Sequence, residues 1–230
     1  MHQDLNALNK QAIATAREFT GEFAWPTVLL VLLVWGLLIA DLCLFATGWL
    51  SLAPAMLLYA VVTYMSYTPL HEAAHGNIHG SHDRLQWLNN LCGYLMAPLI
   101  MVPFSTHKVE HFTHHRYTNQ PDKDPDYVVS GMRGGFLAFL VCGFRFLWVQ
   151  NTFLFRSHWA IAPWRERAVY VAEVMLAIGW RVVFVSLVAQ EHAWALLVFG
   201  YLGGAFFTAY WFAYRPHHPY TDSARYRNTN

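Results

Sequence analysis

Charged residues are scarce in this sequence, and their scarcity excludes several classes of protein. Only 13% of the 230 residues are charged, whereas 56% are hydrophobic and 17% aromatic, so an ordinary soluble domain fits poorly. No run of lysines or arginines marks a nucleic-acid surface, and the formal net charge is +1 with the histidines neutral. The composition therefore indicates a membrane protein that meets lipid and has no nucleic-acid partner.

Cysteine is also sparse. Cys43, Cys92 and Cys142 lie far apart in apolar stretches, without CxxC or paired spacing. Neither a disulfide framework nor a zinc knuckle is indicated. The N-terminal segment, residues 1–23, lacks the basic start and immediate apolar core of a signal peptide, so we interpret it as a short cytoplasmic helix.

Four apolar segments are long enough to cross a bilayer, since a spanning helix takes roughly 20 apolar residues. They are residues 26–47, 50–69, 168–189 and 193–214. Tight links of three residues, at 47–49 and 190–192, join the segments in pairs, so each pair is predicted to form a helical hairpin. The predicted fold is an all-α membrane protein with one domain over residues 1–230, built from two transmembrane hairpins, interfacial helices and a cytoplasmic-face histidine cluster.

The distribution of positive charge predicts the orientation of these spans. If both hairpins begin inside, every one of the 15 Lys and Arg residues except Arg181 falls in a cytoplasmic segment. We therefore predict a multi-pass protein of a bacterial inner membrane, with its N-terminus in the cytoplasm. Arg181 and Glu173, inside the third predicted span, are expected to snorkel or to face the bundle.

Two further apolar stretches, residues 85–104 and 134–164, are interrupted by prolines or by polar residues such as Gln150. We predict that both are interfacial or re-entrant helices.

Histidine is abundant, and its placement matters more than its count of thirteen. Three clusters lie beside predicted cytoplasmic ends of spans. In the first, His71-Glu72-Ala73-Ala74-His75 follows the second span, and the i, i+4 spacing places both imidazoles on one helical face about 6 Å apart. The two side chains can hold one metal ion, and His79 is predicted to extend the same face by another turn.

The second cluster runs from His107 to His115 and combines i, i+3 and i, i+4 spacings. The neighbours His114 and His115 diverge by about 100° on a helix, which suits them to two different metals of a pair. The third cluster, His217-His218, closes the fourth span.

Ligand type alone leaves the metal open, because imidazole binds zinc, copper, nickel and iron. The HExxH string also matches a zinc protease in which Glu72 is the general base, but that reading leaves the second cluster unexplained. In a two-metal site, acidic side chains would orient the ligands by accepting their N–H groups, although loop solvation is an equal alternative for the aspartates. The candidates for this orienting role are Glu72, Glu110, Asp122, Asp124 and Asp126.

In order and position, these motifs resemble the membrane fatty-acid desaturase and hydroxylase superfamily. The resemblance rests on the two hairpins, HEAAH after the second span, HxxHH as His111-Phe-Thr-His114-His115, and a histidine after the fourth span. The loop at 117–126 is similar to a bacterial branch that includes acyl desaturases and carotenoid ring hydroxylases. The resemblance implies that the boxes hold two irons on the cytoplasmic face, so that residues 85–104 do not cross.

The implied iron ligands are those that match the family's boxes: His71, His75, His111, His114, His115 and His217. Members of the superfamily carry a third HxxHH box after the fourth span, which this sequence does not reach before Asn230. We therefore expect a C-terminally truncated chain; otherwise His79, His107 and His218 would replace the missing ligands. We also expect the 230 residues alone to fall short of a complete di-iron site, an expectation that two firmly bound irons with turnover would contradict.

The resemblance implies O2-dependent attack on C–H bonds of a lipid-like substrate, most simply by an acyl-lipid desaturase. The alternative within the superfamily is a carotenoid or lipid hydroxylase. An intramembrane zinc protease and a metal-binding membrane protein are more remote alternatives. No flavin, haem or iron–sulfur motif is visible, so electrons are expected from an external donor of the ferredoxin, rubredoxin or cytochrome b5 type.

Overall fold

A computed structural model describes residues 5–18, 21–224 and 228–229 of the chain. All regular structure in these residues is helical. The helices are α1 (Leu5–Arg17), α2 (Trp25–Ala46), α3 (Leu52–His75), α4 (Gln86–Ile100), α5 (Phe104–Tyr117), α6 (Phe136–His158), α7 (Trp164–Leu187) and α8 (Ala193–Tyr214). Helix α1 lies in the segment predicted to be a short helix; residues 1–4, 19 and 20 of that segment lie outside the described residues.

Four helices of the described chain are long and apolar enough to cross a membrane, namely α2, α6, α7 and α8. Three of them coincide with predicted spans. Helix α3 matches the predicted second span in position, and its 24 residues reach about 36 Å. It is not among the four helices apolar enough to cross, and its buried face carries the polar residues Thr63 and Ser66.

Helix α6 occupies the stretch that was predicted to be interfacial or re-entrant. It is a single 23-residue helix that is apolar enough to cross. Gln150, counted in the sequence as an interruption, is buried and hydrogen-bonded inside the protein. An interfacial placement of this helix stays a prediction.

Helix α3 is the centre of the bundle, with α2, α4 and α8 packed around it. Helix α8 approaches it closely at Gly204, where a Cβ atom would lie 2.3 Å from the carbonyl oxygen of Ala60. Helix α2 packs against α3, whereas α7 packs mainly on α4 and α5. The pairing of the spans into two hairpins stays a prediction. Most of the apolar side chains of α7 are exposed, as is expected of a surface that faces lipid.

A sharp bend separates α4 from α5. The two helices meet at 96°, and the link passes through Met101 in a left-handed conformation, with φ of 53°. Because of this bend, α5 carries the second histidine cluster to the end of α3. The first two histidine clusters therefore lie at the same end of the bundle.

Candidate metal centre

The first histidine cluster lies on the last turn of α3. The helix continues past Pro69 and ends at His75, because Gly76 adopts φ of 74° and its N–H donates to the carbonyl of Ala73. The prediction that His79 extends this helical face is wrong, since the helical periodicity stops at Gly76. His79 instead lines a cavity of about 680 Å³, whose wall also includes Glu72 and His75.

Four imidazoles from the first two clusters converge on one point. The ligand nitrogens of His71, His75, His111 and His115 all lie within 4.8 Å of one another. The Nε2 atom of His111 is 2.9 Å from Nε2 of both His75 and His115, and the latter two are 3.2 Å apart. Bonds of about 2.0–2.1 Å from one ion would separate neighbouring nitrogens by about 3.0–3.4 Å, so the spacing fits a metal's coordination shell.

The protonation state of this cluster also suits a metal. Burial, together with neighbouring histidine charges, lowers the pKa of His111 and lowers that of His115 to about 4. Burial likewise lowers the pKa of His75. The three imidazoles are therefore neutral near pH 7, with nitrogen atoms directed at each other, and a metal requires neutral imidazole ligands.

An acidic side chain orients the fourth histidine of the cluster. Glu72 accepts a hydrogen bond of 3.0 Å from Nδ1 of His71 and one of 2.7 Å from the amide of Asn77. The hydrogen bond from His71 is the main cause that holds the pKa of Glu72 below its usual value. With Nδ1 engaged, Nε2 is the nitrogen of His71 that is left for a metal.

His114 turns away from the four-histidine cluster toward the loop after α5. Its Nδ1 atom lies 2.7 Å from Oδ1 of Asp124 and 3.8 Å from a carboxylate oxygen of Asp126. Burial lowers the pKa of His114, but the charge of Asp126 and the hydrogen bond to Asp124 outweigh it and leave the pKa above its usual value. The ring of His217 lies 4.8 Å from that of His114, so these two histidines form a neighbouring pair.

His107 and Glu110 are completely buried beside both groups of histidines. The ring of His107 stacks on His111 at 5.0 Å, and its Nδ1 lies 3.3 Å from Oε1 of Gln150. Its Nε2, like both carboxylate oxygens of Glu110, has no hydrogen-bond partner among the described residues. Buried atoms without partners are expected where an ion or water completes a site. Burial, and next the charge of Asp126, raise the pKa of Glu110 well above its usual value.

The remaining predicted residues lie apart from this centre. The ring nitrogens of His218 lie 2.7 Å from Nη1 of Arg133 and 3.2 Å from the hydroxyl of Tyr214, outside the four-histidine cluster. Asp122 is exposed, in contrast to the buried Asp124 and Asp126.

Gln150 is the residue of the site that the sequence did not single out. Besides its contact with His107, its amide donates to Oδ1 of Asp126 at 3.1 Å, so it links α5 to the following loop. The available signal was a polar residue within an apolar stretch, which is often turned inward in membrane proteins.

A cavity of about 690 Å³ reaches the histidines. Its wall includes His71, His111 and His217 together with two aromatic side chains, Tyr67 and Phe212. The rest of the described lining is polar and includes Arg116 and Asp126, so the two aromatic rings are an apolar part of a largely polar cavity beside the histidines.

Comparison with known proteins identifies related sequences. The sn-1 oleoyl-lipid 12-desaturase of Anabaena variabilis is 26% identical over 200 residues, which cover 78% of this chain and 53% of that relative. The Delta(12) fatty acid desaturase fat-2 of Caenorhabditis elegans is 32% identical over 77 residues, 34% of this chain and 19% of the relative. The sn-1 acyl-lipid omega-3 desaturase (ferredoxin) of Nostoc sp. (strain 36) is 30% identical over 86 residues, 31% of this chain and 24% of the relative.

The chain spans about half the length of the first of these relatives, and less of the others. No solved structure gives a significant match. A family model described as fatty acid desaturase matches residues 47–230, a range that contains all of the histidines gathered at the centre. The chain belongs to the fatty acid desaturase family.

Proposed function

We propose that this protein is an O2-dependent, non-haem di-iron desaturase that acts on the acyl chains of lipids. The observation that carries the proposal is the meeting of four imidazoles from two histidine boxes within 4.8 Å, in a chain of the fatty acid desaturase family. The relatives named above are acyl-lipid or fatty acid desaturases, which supports desaturation rather than the hydroxylation that the sequence also allowed.

The residues of the site divide into ligands of two iron ions and side chains that orient those ligands. His71, His75, His111 and His115 would hold one ion. His114 and His217 would hold the second, beside the unpartnered Nε2 of His107 and the carboxyl of Glu110. When bound, the irons supply O2 activation and removal of hydrogen from an unactivated C–H bond.

Other side chains of the site would orient the ligands and position the substrate. Glu72 and Asp124 keep Nδ1 of His71 and His114 engaged, so that Nε2 of each ring faces the site. Tyr67 and Phe212, whose rings pack at 4.6 Å, form an apolar wall along which an acyl chain would lie.

The proposed setting is a bacterial inner membrane with the histidines at the cytoplasmic face. Support comes from the four membrane-length helices and from the positive charge placed at one end of the predicted spans. The electrons would come from a separate protein. A ferredoxin-type donor is favoured because one relative carries ferredoxin in its name, with rubredoxin and cytochrome b5 types as the alternatives.

Product analysis tests the proposed reaction. Membranes that contain the protein with a complete set of iron ligands, an electron donor and O2 should convert an acyl lipid to a product lighter by two hydrogens in mass spectrometry. His114→Ala should abolish this product, while His192→Ala, at an exposed link far from the centre, should leave it unchanged. A product heavier by one oxygen would instead establish a hydroxylase, and turnover without O2 would contradict both.

A further inference from the structure

The bend between α4 and α5 leaves two helix ends that need partners. A helix end exposes up to four carbonyls or four N–H groups without partners inside the helix. In an apolar environment, where no water can replace the missing partner, each unpaired group destabilises the protein. Pro103, at the start of α5, supplies no side-chain cap. At the end of α4, the N–H groups of Met101 and Val102 both donate to the carbonyl of Ala97. The later carbonyls of α4 and the first N–H groups of α5 therefore need partners from another element.

Glu173 of α7 caps the start of α5. One carboxylate oxygen accepts the backbone N–H of Phe104 at 2.6 Å. The other accepts the backbone N–H of Ser105 at 3.2 Å and its hydroxyl at 2.5 Å. A carboxylate at a helix N-terminus is also favoured by the helix dipole.

Arg181, on the same helix, caps the end of α4. It is 8% exposed, and its guanidinium donates to the carbonyls of Pro98 at 2.7 Å and Leu99 at 2.9 Å. It also donates to the hydroxyl of Tyr59 on α3 at 2.8 Å. A positive charge suits the C-terminal end of a helix, and the planar fork lets one side chain reach several acceptors.

The two charged residues lie about two turns apart on α7, some 12 Å along its axis. Each meets the helix end of opposite polarity at the same bend, and Arg181 adds a bond to the helix that carries the first histidine box. We propose that Glu173 and Arg181 are positioning residues of the metal centre, which fix α5 relative to α3 and thereby bring His111 and His115 to His75. This inference rests on the metal centre proposed above.

The reason for expecting an effect on the metal is geometric. His111 and His115 lie on the helix whose first residues Glu173 holds, and their Nε2 atoms are within 3.2 Å of Nε2 of His75. A displacement of α5 by 1 Å or so would spread these nitrogens beyond the spacing of one coordination shell. If Glu173 and Arg181 acted only in folding, their replacement would lower the stability of the protein. The metal geometry of the molecules that still fold would then be unchanged.

The test is a titration of the whole chain in lipid nanodiscs with Co2+, followed by the visible absorption of the bound ion. Glu173→Gln keeps the size of the side chain but directs an N–H₂ group at an N–H group, and Arg181→Lys keeps the charge but loses the fork. Both should weaken Co2+ binding about 10–100-fold, as changes in residues that orient ligands do, and should shift the absorption band. The controls Glu166→Gln, exposed on α7, and Arg145→Lys, exposed on α6, should bind as the unmodified chain does.

Each outcome decides a separate point. Unchanged affinity and band position in folded Glu173→Gln and Arg181→Lys overturn the positioning role, even if thermal stability falls. If His111→Ala binds Co2+ as well as the unmodified chain, the proposed metal centre itself fails. Should Glu173→Gln not fold, Ser105→Ala removes only the hydroxyl bond to Glu173. It should then produce the band shift at smaller amplitude, and an unshifted band overturns the proposal.

Discussion

The centre depends, at the scale of single residues, on which nitrogen of each histidine faces the site. Glu72 engages Nδ1 of His71, and Asp124 engages Nδ1 of His114. A ligand spacing in the sequence identifies the histidine but not the nitrogen, because the partner that fixes the ring is known only once the chain is folded. The two carboxylates thus perform an orienting task that could be proposed, but not assigned, from the sequence.

Asp124 provides a test of this orienting task. Asp124→Asn retains one acceptor oxygen but weakens the hold on His114, so iron affinity of the protein should fall by about 10–100-fold. Asp122→Asn, at an exposed neighbouring position, is the matched control and should bind iron normally. Competition with a chelator measures both affinities, and an equal affinity in the two variants would refute the orienting role of Asp124.

Individual residues also show where prediction from sequence stops. The i, i+4 spacing correctly brought His71 and His75 onto one face, but the same spacing misplaced His79. The difference is Gly76, whose left-handed backbone ends the helix. In the second cluster, His111 and His115 reach the first box while His114 faces Asp124, in accord with the predicted divergence of adjacent residues.

At the scale of helices, small residues determine how closely two helices pack. Helix α8 lies against α3 because Gly200 and Gly204 have no side chain where Tyr59, Ala60 and Thr63 approach. Such contacts between glycine and backbone are common in membrane helix pairs. The sequence predicted both helices, but not their contact, because hydropathy defines a span and not its neighbour.

Two adjacent glycines of α8 test this packing. A Cβ at Gly204 would lie 2.3 Å from the carbonyl oxygen of Ala60, whereas a Cβ at Gly203 would make an ordinary 3.5 Å contact with Ala60. Gly204→Ala should therefore destabilise the protein by about 1–3 kcal/mol, as overpacking does. Gly203→Ala should be neutral or stabilising in the same unfolding measurement. Equal effects of the two changes would disprove the close approach.

Helix α6 shows that a polar residue within an apolar stretch can find its partners inside the protein. Gln150 is one of the polar residues from which we predicted an interfacial helix, and its side chain is buried between His107 and Asp126. A polar residue that bonds inside the bundle does not face water, so it does not mark a break in the apolar surface. The period of the hydrophobic pattern does not distinguish a polar residue that bonds inside the bundle from one that faces water.

The orientation that we predict for the whole molecule rests on its charge distribution. Lys and Arg residues avoid the links at 47–49 and 190–192, which the positive-inside rule assigns to the external side. Since the first two boxes meet at one end of the bundle, they share whichever side that end faces. We predict that this side is the cytoplasm.

Thiol labelling tests the orientation. In a background in which the three native cysteines are replaced, Gln190→Cys should react with an impermeant thiol reagent added to intact cells. Asp122→Cys, in the loop after α5, should react only after the membrane is opened. Both positions are exposed, so access and not burial decides the result. Labelling of Asp122→Cys in intact cells would reverse the proposed orientation.

The central claim is that one ion is held by imidazoles from two histidine boxes, and X-ray absorption at the iron K-edge tests it most directly. Iron-loaded protein should show nitrogen ligands at about 2.1 Å with the outer-shell scattering of several imidazole rings, and His111→Ala should lose part of that scattering. A spectrum without imidazole scattering, or one that His111→Ala leaves unchanged, would contradict the account.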